Sequence, residues 1–315
     1  MIEAFSVDKE EYQKIVDSPF SVFETVAFAE LNRNKVDSVH YLIFKDNRIR
    51  FALVAGIKDN VLKMPFSASF AAFSRLNQHI EITHYHQAVE ALIDFAKSLN
   101  CRSIFFSLPP HFYYPTHLSQ TYNALYVHEF IQQEIDVNYE FHLKNFDDNY
   151  VDHIEYDAKK SLNKAIRNNL IFELTTDIQT VYRIIEQNRE EHGFPMTMSL
   201  EEVLRTVNVV EHELFIVRSA NNTPIASALT YQLTAQVVRV IYWGNIRDGS
   251  AFRPMNFLSY NIFKHFSQKA GINTIDIGHS TEHSVPNFGL CDFKQAIGCD
   301  SSPKYTFVKD LSDAR

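Results

Sequence analysis

The chain has 315 residues, enough for two domains of ordinary size, and its 45% hydrophobic and 22% charged residues are the composition of a soluble globular protein. A net charge of −8 argues against non-specific binding to nucleic acid, and three cysteines without a C-x-x-C motif exclude a disulfide framework. With only eight glycines there is neither a G-x-G-x-x-G fingerprint nor a P-loop, which sets aside two nucleotide chemistries.

No uninterrupted apolar run approaches 18 residues, so no membrane span is expected. The first ten residues lack the basic and apolar regions of a signal peptide, and the cytoplasm is the expected compartment. The 26 Phe and 15 Tyr point to thick cores or aromatic-lined clefts, without deciding which.

In chain order, Ser21 to Arg33 reads as a helix. Strands are expected at 39–44, 49–57 and 61–64, joined by polar turns. A small-residue aromatic segment follows at 65–73. Gln87 to Leu99 carries Ala88, Ala91, Leu92, Phe95 and Leu99 on one helical face, and 103–108 is a strand stopped by Pro109-Pro110.

The second half repeats that order: strands at 214–217, 225–233 and 237–243, a helix from Pro254, and a strand at 274–277. Five matching elements about 170 positions apart indicate a duplicated domain. The expected class is α/β (α+β), two mixed sheets with helices on their faces. The boundaries are 1–136 and 137–315, and a cleft between them is an expected ligand position.

Three further helices precede the second set of strands. In 157–169, Ala158, Leu162, Ala165 and Ile166 form an apolar stripe, while Lys159, Lys160, Lys164 and Arg167 fill the remainder. Four cations on one helix stand out in an acidic chain, either as a solvated face or as phosphate contacts. Ile178 to His192 is the second helix, and Ser199-Leu200-Glu201-Glu202 is a capping box opening the third.

The stretch 242–298 carries most of the functional signal. A strand ending in Tyr242 and Trp243 leads through the loop 244–253 to a helix with Met255, Leu258, Ile262, Phe266 and Ala270 on one face. Pro254 suits its first turn, and Gly271 its C-cap. A helix N-terminus beside Arg247 and Arg253 makes an anion site, with Asn256 in its first turn as a further ligand contact. The plainer reading is a solvated loop with two surface arginines. His279 and His283 lie in a loop without a supporting carboxylate or cysteine pattern, so no metal site is expected.

The segment 159–169 resembles the "kk-R-x-x-I-x-K-A" helix of FemAB/FemX-like proteins. The tail is similar to the same group: Ile275-Asp276-Ile277-Gly278 stands for its "fDlgG" strand, and 287–298 for its "glyrFKxxFG" motif. The resemblance covers 140–310 well and 20–110 only in strand order and Pro65-Phe66. It implies two tandem GNAT-like domains and an N-acyltransferase. Members move an aminoacyl group from aminoacyl-tRNA to the amine of a peptidoglycan precursor, and wider relatives use acyl-CoA.

The expected co-substrate is therefore acyl-CoA or aminoacyl-tRNA, with no permanently bound cofactor. The partners would be a small-molecule or peptide amine and a tRNA acceptor end. The acyl-CoA branch carries R/Q-x-x-G-x-G/A before its long helix. Here Arg247-Asp248-Gly249-Ser250-Ala251 is shorter and puts an Asp where an anion would lie.

On this resemblance Lys294, the Lys of "FK", faces the reaction centre and holds an oxyanion or donor phosphate. From their positions at strand ends, either Tyr242 or Trp243 stacks on a ligand, Tyr242 returns a proton, and Asp276 acts as base or orients one. Arg247, Arg253, Asn256, Lys160, Lys164 and Arg167 bind the donor. Each has a plainer alternative: an exposed lysine near a turn, aromatic core, a carboxylate bonded to backbone. The competing reading for the whole chain is a non-catalytic ligand-binding or scaffold protein. The transferase reading expects Lys294, Tyr242 and Arg253 to approach one another in one open groove.

Overall fold

The alternation of apolar residues along 41–44 and 51–54 determines how the first part of the chain is built. Leu42, Phe44, Phe51 and Leu53 join one buried cluster, while Tyr41, Ile43, Ala52 and Val54 join another. Successive strand residues face opposite sides, so a sheet with both sets buried must be covered on both faces.

The computed structural model describes residues 1–312. Its first elements are β1 (Glu3–Val7), α1 (Lys9–Ile15), α2 (Val26–Leu31), β2 (Ser38–Lys45), β3 (Ile49–Lys58), β4 (Val61–Met64), β5 (Ser74–Arg75), α3 (Ile82–Ser98), β6 (Ser103–Ser107) and α4 (Pro115–Val127). There follow β7 (Ile131–His142), α5 (Tyr150–His153), α6 (Tyr156–Arg167), β8 (Ile171–Thr175), α7 (Ile178–Glu191) and α8 (Leu200–Val207). The last are β9 (His212–Arg218), β10 (Pro224–Gln232), β11 (Val237–Asn245), α9 (Pro254–Ser267), β12 (Thr274–His279), β13 (Thr281–Glu282), β14 (Val285–Pro286), α10 (Phe288–Ala296) and β15 (Asp300–Asp310).

The chain divides into two units, one of Met1–Asp136 with Ser302 onward, the other Val137–Ser301. The tail from Ser302, assigned from sequence to the second domain, thus goes with the first: β15 pairs antiparallel with β6, Thr306 opposite Ser107. In the first unit the strand order is β1-β2-β3-β4-β6-β15. In the second it is β7-β12-β11-β10-β9-β8.

Both units carry the repeated order. In the first, β2, β3 and β4 run antiparallel and α3 carries the chain across to β6, parallel to β4. In the second, β9, β10 and β11 run antiparallel and α9 leads to β12, parallel to β11. A parallel neighbour requires such a crossover.

The second unit's core lies under α9, where Leu258, Ile262, Phe263 and Phe266 are buried against Phe215, Val217, Val240 and Ile275. Phe263 stacks on Phe141 at 3.9 Å between centroids. Each such side chain contributes about 1.5–3 kcal/mol by burial.

Several local expectations change. The stretch 21–33 is three short pieces, a 3-10 turn at Val22–Glu24, α2, and a second turn at Arg33–Lys35. Ser21 and Thr25 each accept a capping hydrogen bond and break the run. Helix α3 starts five residues before Gln87. Helix α9 ends at Ser267, so Gly271 caps nothing and Ala270 lies outside the helix, exposed. Ile166 is 50% exposed, off the apolar face of α6. Helix α10 and strands β1, β7, β8 and β15 carry no unambiguous periodicity and were not expected.

Candidate functional site

Strands β11 and β12 pair over only three positions, the last being Arg239 opposite Asp276. Beyond it β11 continues beside β10, and β12 beside β7. The two parallel strands part there, and the residues at the parting are charged.

Asp276 is fully buried on β12 and its carboxylate is held from three sides. Arg239 Nη1 donates to Oδ2 at 2.7 Å. Asn138 Nδ2 donates to Oδ1 at 2.9 Å, and the Gly278 N–H at 2.8 Å. Burial without partners would cost several kcal/mol, and these bonds offset it. Glu140, also buried, sits opposite Asp276 on β7, its Oε2 3.5 Å from Asn138 Nδ2.

The bond to Gly278 N closes a local turn. The register slips between Asp276 and Gly278, and Gly278 has φ +83°. That conformation disfavours a side chain, and a Cβ there would stand 3.5 Å from Arg239 Nη2. The strand expected to stop at Gly278 therefore bends at it and continues to His279.

The bend aims two carbonyls at Lys294. Its ammonium donates to Gly278 O at 2.8 Å and His279 O at 3.2 Å, and lies 5.5 Å from the Tyr139 ring centroid. Lys294 is 2% exposed, on α10, a helix capped at its start by Asn287. Burial lowers its pKa from 10.5 to about 8, opposed by the nearby Cys299 and Asp276. The same burial pushes the Cys299 thiol far up. The next residue, Phe293, meets Trp243 edge-on at 6.0 Å, so α10 touches both parted strands. Asn138 Oδ1 and Ser280 Oγ, both buried, have no hydrogen-bond partner among the described residues.

The other expected site residues have surroundings of their own. Tyr242 hydroxyl bonds Thr197 Oγ1 at 2.5 Å, and the Arg189 guanidinium stands 5.6 Å over its ring. Arg247 is tied to Glu191 through its backbone N–H and its guanidinium. Arg253 is exposed, in a left-handed conformation at the start of α9, with no capping side chain. Asn256 is half-buried in the first turn, its carbonyl accepting from Ser259 Oγ. Lys160, Lys164 and Arg167 are exposed on α6, whereas Lys159 pairs with Asp152.

Among the described residues, no hydrogen bond or ring contact joins Lys294 to Tyr242 or Arg253. Lys294 is not the exposed lysine of the plainer reading. Alternation along β11 is broken by the extra residue Ile241, since Leu229 faces Tyr242 and Thr230 faces Val240. Trp243 contacts α10 while Tyr242 contacts the chain after α7.

This geometry belongs to a known architecture. No protein-family model matches the sequence, and no curated protein matches it. Solved structures do. FemX superimposes with a TM-score of 0.72 at 12% identity, covering 99% of this chain and 98% of its own. L-PGS from Bacillus licheniformis does so at 0.60 and 9%, over 95% and 91%. A tandem GNAT protein from the clavulanic acid biosynthesis pathway does so at 0.57 and 7%, over 98% of each chain. The chain has the FemX-like tandem GNAT fold.

In this FemX-like fold the residues that sequence reasoning missed are Arg239, Asn138 and Glu140. Arg239 left a signal: one arginine inside the apolar run 237–241 demands a buried anion, and Asp276 is the anion the adjoining strand offers.

Proposed function

We propose that the second unit is an aminoacyl transferase, moving an aminoacyl group from an ester of RNA to an amine. The carrying observation is the Lys294 ammonium, buried at the parting of β11 and β12 and fixed by two carbonyls. Two of its three protons are used, and the third supplies a positive donor for a tetrahedral oxyanion. The amine nitrogen attacks the ester carbonyl carbon, the bond to the ribose oxygen breaks, and the proton passes from the amine to that oxygen. Asn138 Oδ1 and Ser280 Oγ offer acceptors to orient the incoming amine. Asp276 is a positioning residue here, because Arg239, Asn138 and Gly278 occupy its oxygens.

An ester donor is favoured over a coenzyme A thioester by the loop before α9. Backbone approach to a pyrophosphate needs open glycines. Gly249, the loop's glycine, is buried against Ile225, where a Cβ would meet its Cβ at 2.8 Å. Pro254 also removes an N–H from the first turn of α9.

The test offers the protein tRNA charged with labelled amino acids, or labelled acetyl-CoA, each with a panel of amines and amino-terminated peptides. Label passing from the tRNA to an amine, lost in Lys294→Met, is expected. Transfer from acetyl-CoA alone would replace the donor assignment. No transfer and no donor-induced rise in melting temperature would favour the scaffold reading.

A further inference from the structure

Strand β1 ends the first unit's sheet, and no strand pairs with its outer edge among the described residues. It pairs with β2 in register throughout, from Glu3 opposite Lys45 to Val7 opposite Tyr41. Alternation sets Ala4 against the core that includes α3 and puts Glu3, Phe5 and Val7 on the other face. On that face lies a groove of about 800 Å³, walled by α1 and by the turn between β2 and β3.

The floor of the groove is apolar, with Phe5, Ile15, Ile43 and Ile49 along it. Phe5 stays 46% exposed although Ile43, its neighbour across the ladder, is buried. An open edge turns the N–H and C=O of alternate residues outward, unpaired. β1 carries no proline, lysine or bulge that would close this edge to another strand. The charges lining the groove are mostly negative: Glu3, Glu11 and Asp46 against Lys45. Arg50 occupies both oxygens of Asp46. Glu3 and Glu11 are exposed and make no salt bridge among the described residues, and Glu10 stands beside Glu11 in the first turn of α1. Lys45 is outnumbered there.

We propose that this edge takes an extended, basic peptide segment of a partner protein as an added antiparallel strand. Its alternate side chains would lie in the groove, apolar ones beside Val7 and Phe5 and a lysine or arginine beside Glu3. The segment then reads apolar-x-apolar-x-basic. Main-chain pairing supplies affinity, and the side chains in the groove supply specificity. Charge complementarity selects a basic segment over an acidic one. A second copy of this chain is the less suitable occupant. Two β1 strands paired about Phe5 set Glu3 against Val7 and not against a cation, and five residues a side fall short of the roughly 20–30 of a stable interface. Peptide binding here needs no donor or acceptor of the proposed reaction, so neither result bears on the other.

The probe is a fluorescein-labelled peptide containing Val-Thr-Phe-Thr-Lys, with binding read by fluorescence anisotropy. It is compared with a Val-Thr-Phe-Thr-Glu counterpart and with two copies N-methylated at alternate amides, one in each phase. The lysine peptide is expected to bind at least about fivefold more tightly than the glutamate peptide, and Glu3→Lys with Glu11→Lys should reverse that order. Phe5→Ser should weaken both about tenfold. Methylation in the phase whose N–H groups face β1 should cost at least about tenfold in affinity, and methylation in the other phase should leave it nearly unchanged.

Equal binding of the lysine and glutamate peptides, equal losses in both methylation phases, or no binding of any peptide at about 1 mM overturns the proposal. So does concentration-dependent dimerisation in sedimentation that Phe5→Ser abolishes, since a second copy then covers the edge.

Discussion

Glu24 in the first unit shows how burial and hydrogen bonding compete at one carboxyl. It is 1% exposed, and it accepts from the Ser21 N–H and hydroxyl and from the Ala72 N–H. Burial outweighs those bonds and raises its pKa from 4.5 to about 7. A raised folded value means its contribution is full below pH 4.5 and is lost as pH rises through about 7, roughly 3 kcal/mol at most. Glu24→Gln should therefore flatten the fall in melting temperature between pH 5 and 8; an unchanged profile would show Glu24 ionised throughout. Lys294 has the opposite sign. Its folded value of about 8 lies below 10.5, so its contribution is present above pH 10.5 and lost as pH falls through about 8. Transferase activity that needs its charge should decline above about pH 8, and Lys294→Arg should move that decline to higher pH. At the ion pair, Asp276→Ala strands a buried guanidinium and should cost about 3–5 kcal/mol. Replacing both partners, Arg239→Met with Asp276→Leu, should cost less than Asp276→Ala in urea unfolding; a larger loss would show that the bonds from Asn138 and the Gly278 N–H outweigh the stranded guanidinium.

Local rules hold well at the scale of elements, and where they fail a contact is responsible. The box opening α8 has both its hydrogen bonds, Ser199 to Glu202 N–H and Glu202 to Ser199 N–H. Ser199→Ala should lower stability by about 1 kcal/mol. Gly244 on β11 is required by a neighbouring helix rather than by its own backbone angle. A Cβ there would lie 2.6 Å from the side chain of Asn188, whose amide ties α7 to Asn245 O. Gly244→Ala is expected to cost about 1–3 kcal/mol. The same substitution should cost much less when Asn188 is already Gly, since the Asn188 Cβ is itself 2.9 Å away, and equal costs in both backgrounds would remove this explanation. Helix α10 escaped periodicity because its buried members include Lys294 and Cys291, and a lysine reads as surface when its carbonyl partners come from another element.

For the molecule, the informative feature is the course of the tail. After α10 the chain re-enters the first unit, where Lys304 Nζ donates to Ser107 Oγ at 2.8 Å and Thr306 Oγ1 to the same oxygen at 3.1 Å. Ending the chain after Ser301 should therefore expose β6 and weaken hydrogen-exchange protection in the first unit, leaving β9 to β11 protected. Loss confined to the second unit would contradict the division at Ser302. Among the described residues no helix is long and apolar enough to cross a membrane.

Hydrophobic period, turn chemistry and capping are carried by neighbours in sequence, and they alone determined the duplicated strand–helix order, the capping box of α8 and the stripe of cations on α6. They also required a partner for Asp276, since a carboxylate inside an apolar strand must have one. The identity of that partner, the burial of Lys294 and the return of the tail to the first unit were decided by tertiary structure. Each depends on which segments, 15 to 197 residues apart, are brought side by side. Pairing across such distances is chosen by the packing of whole elements, and no local window records it.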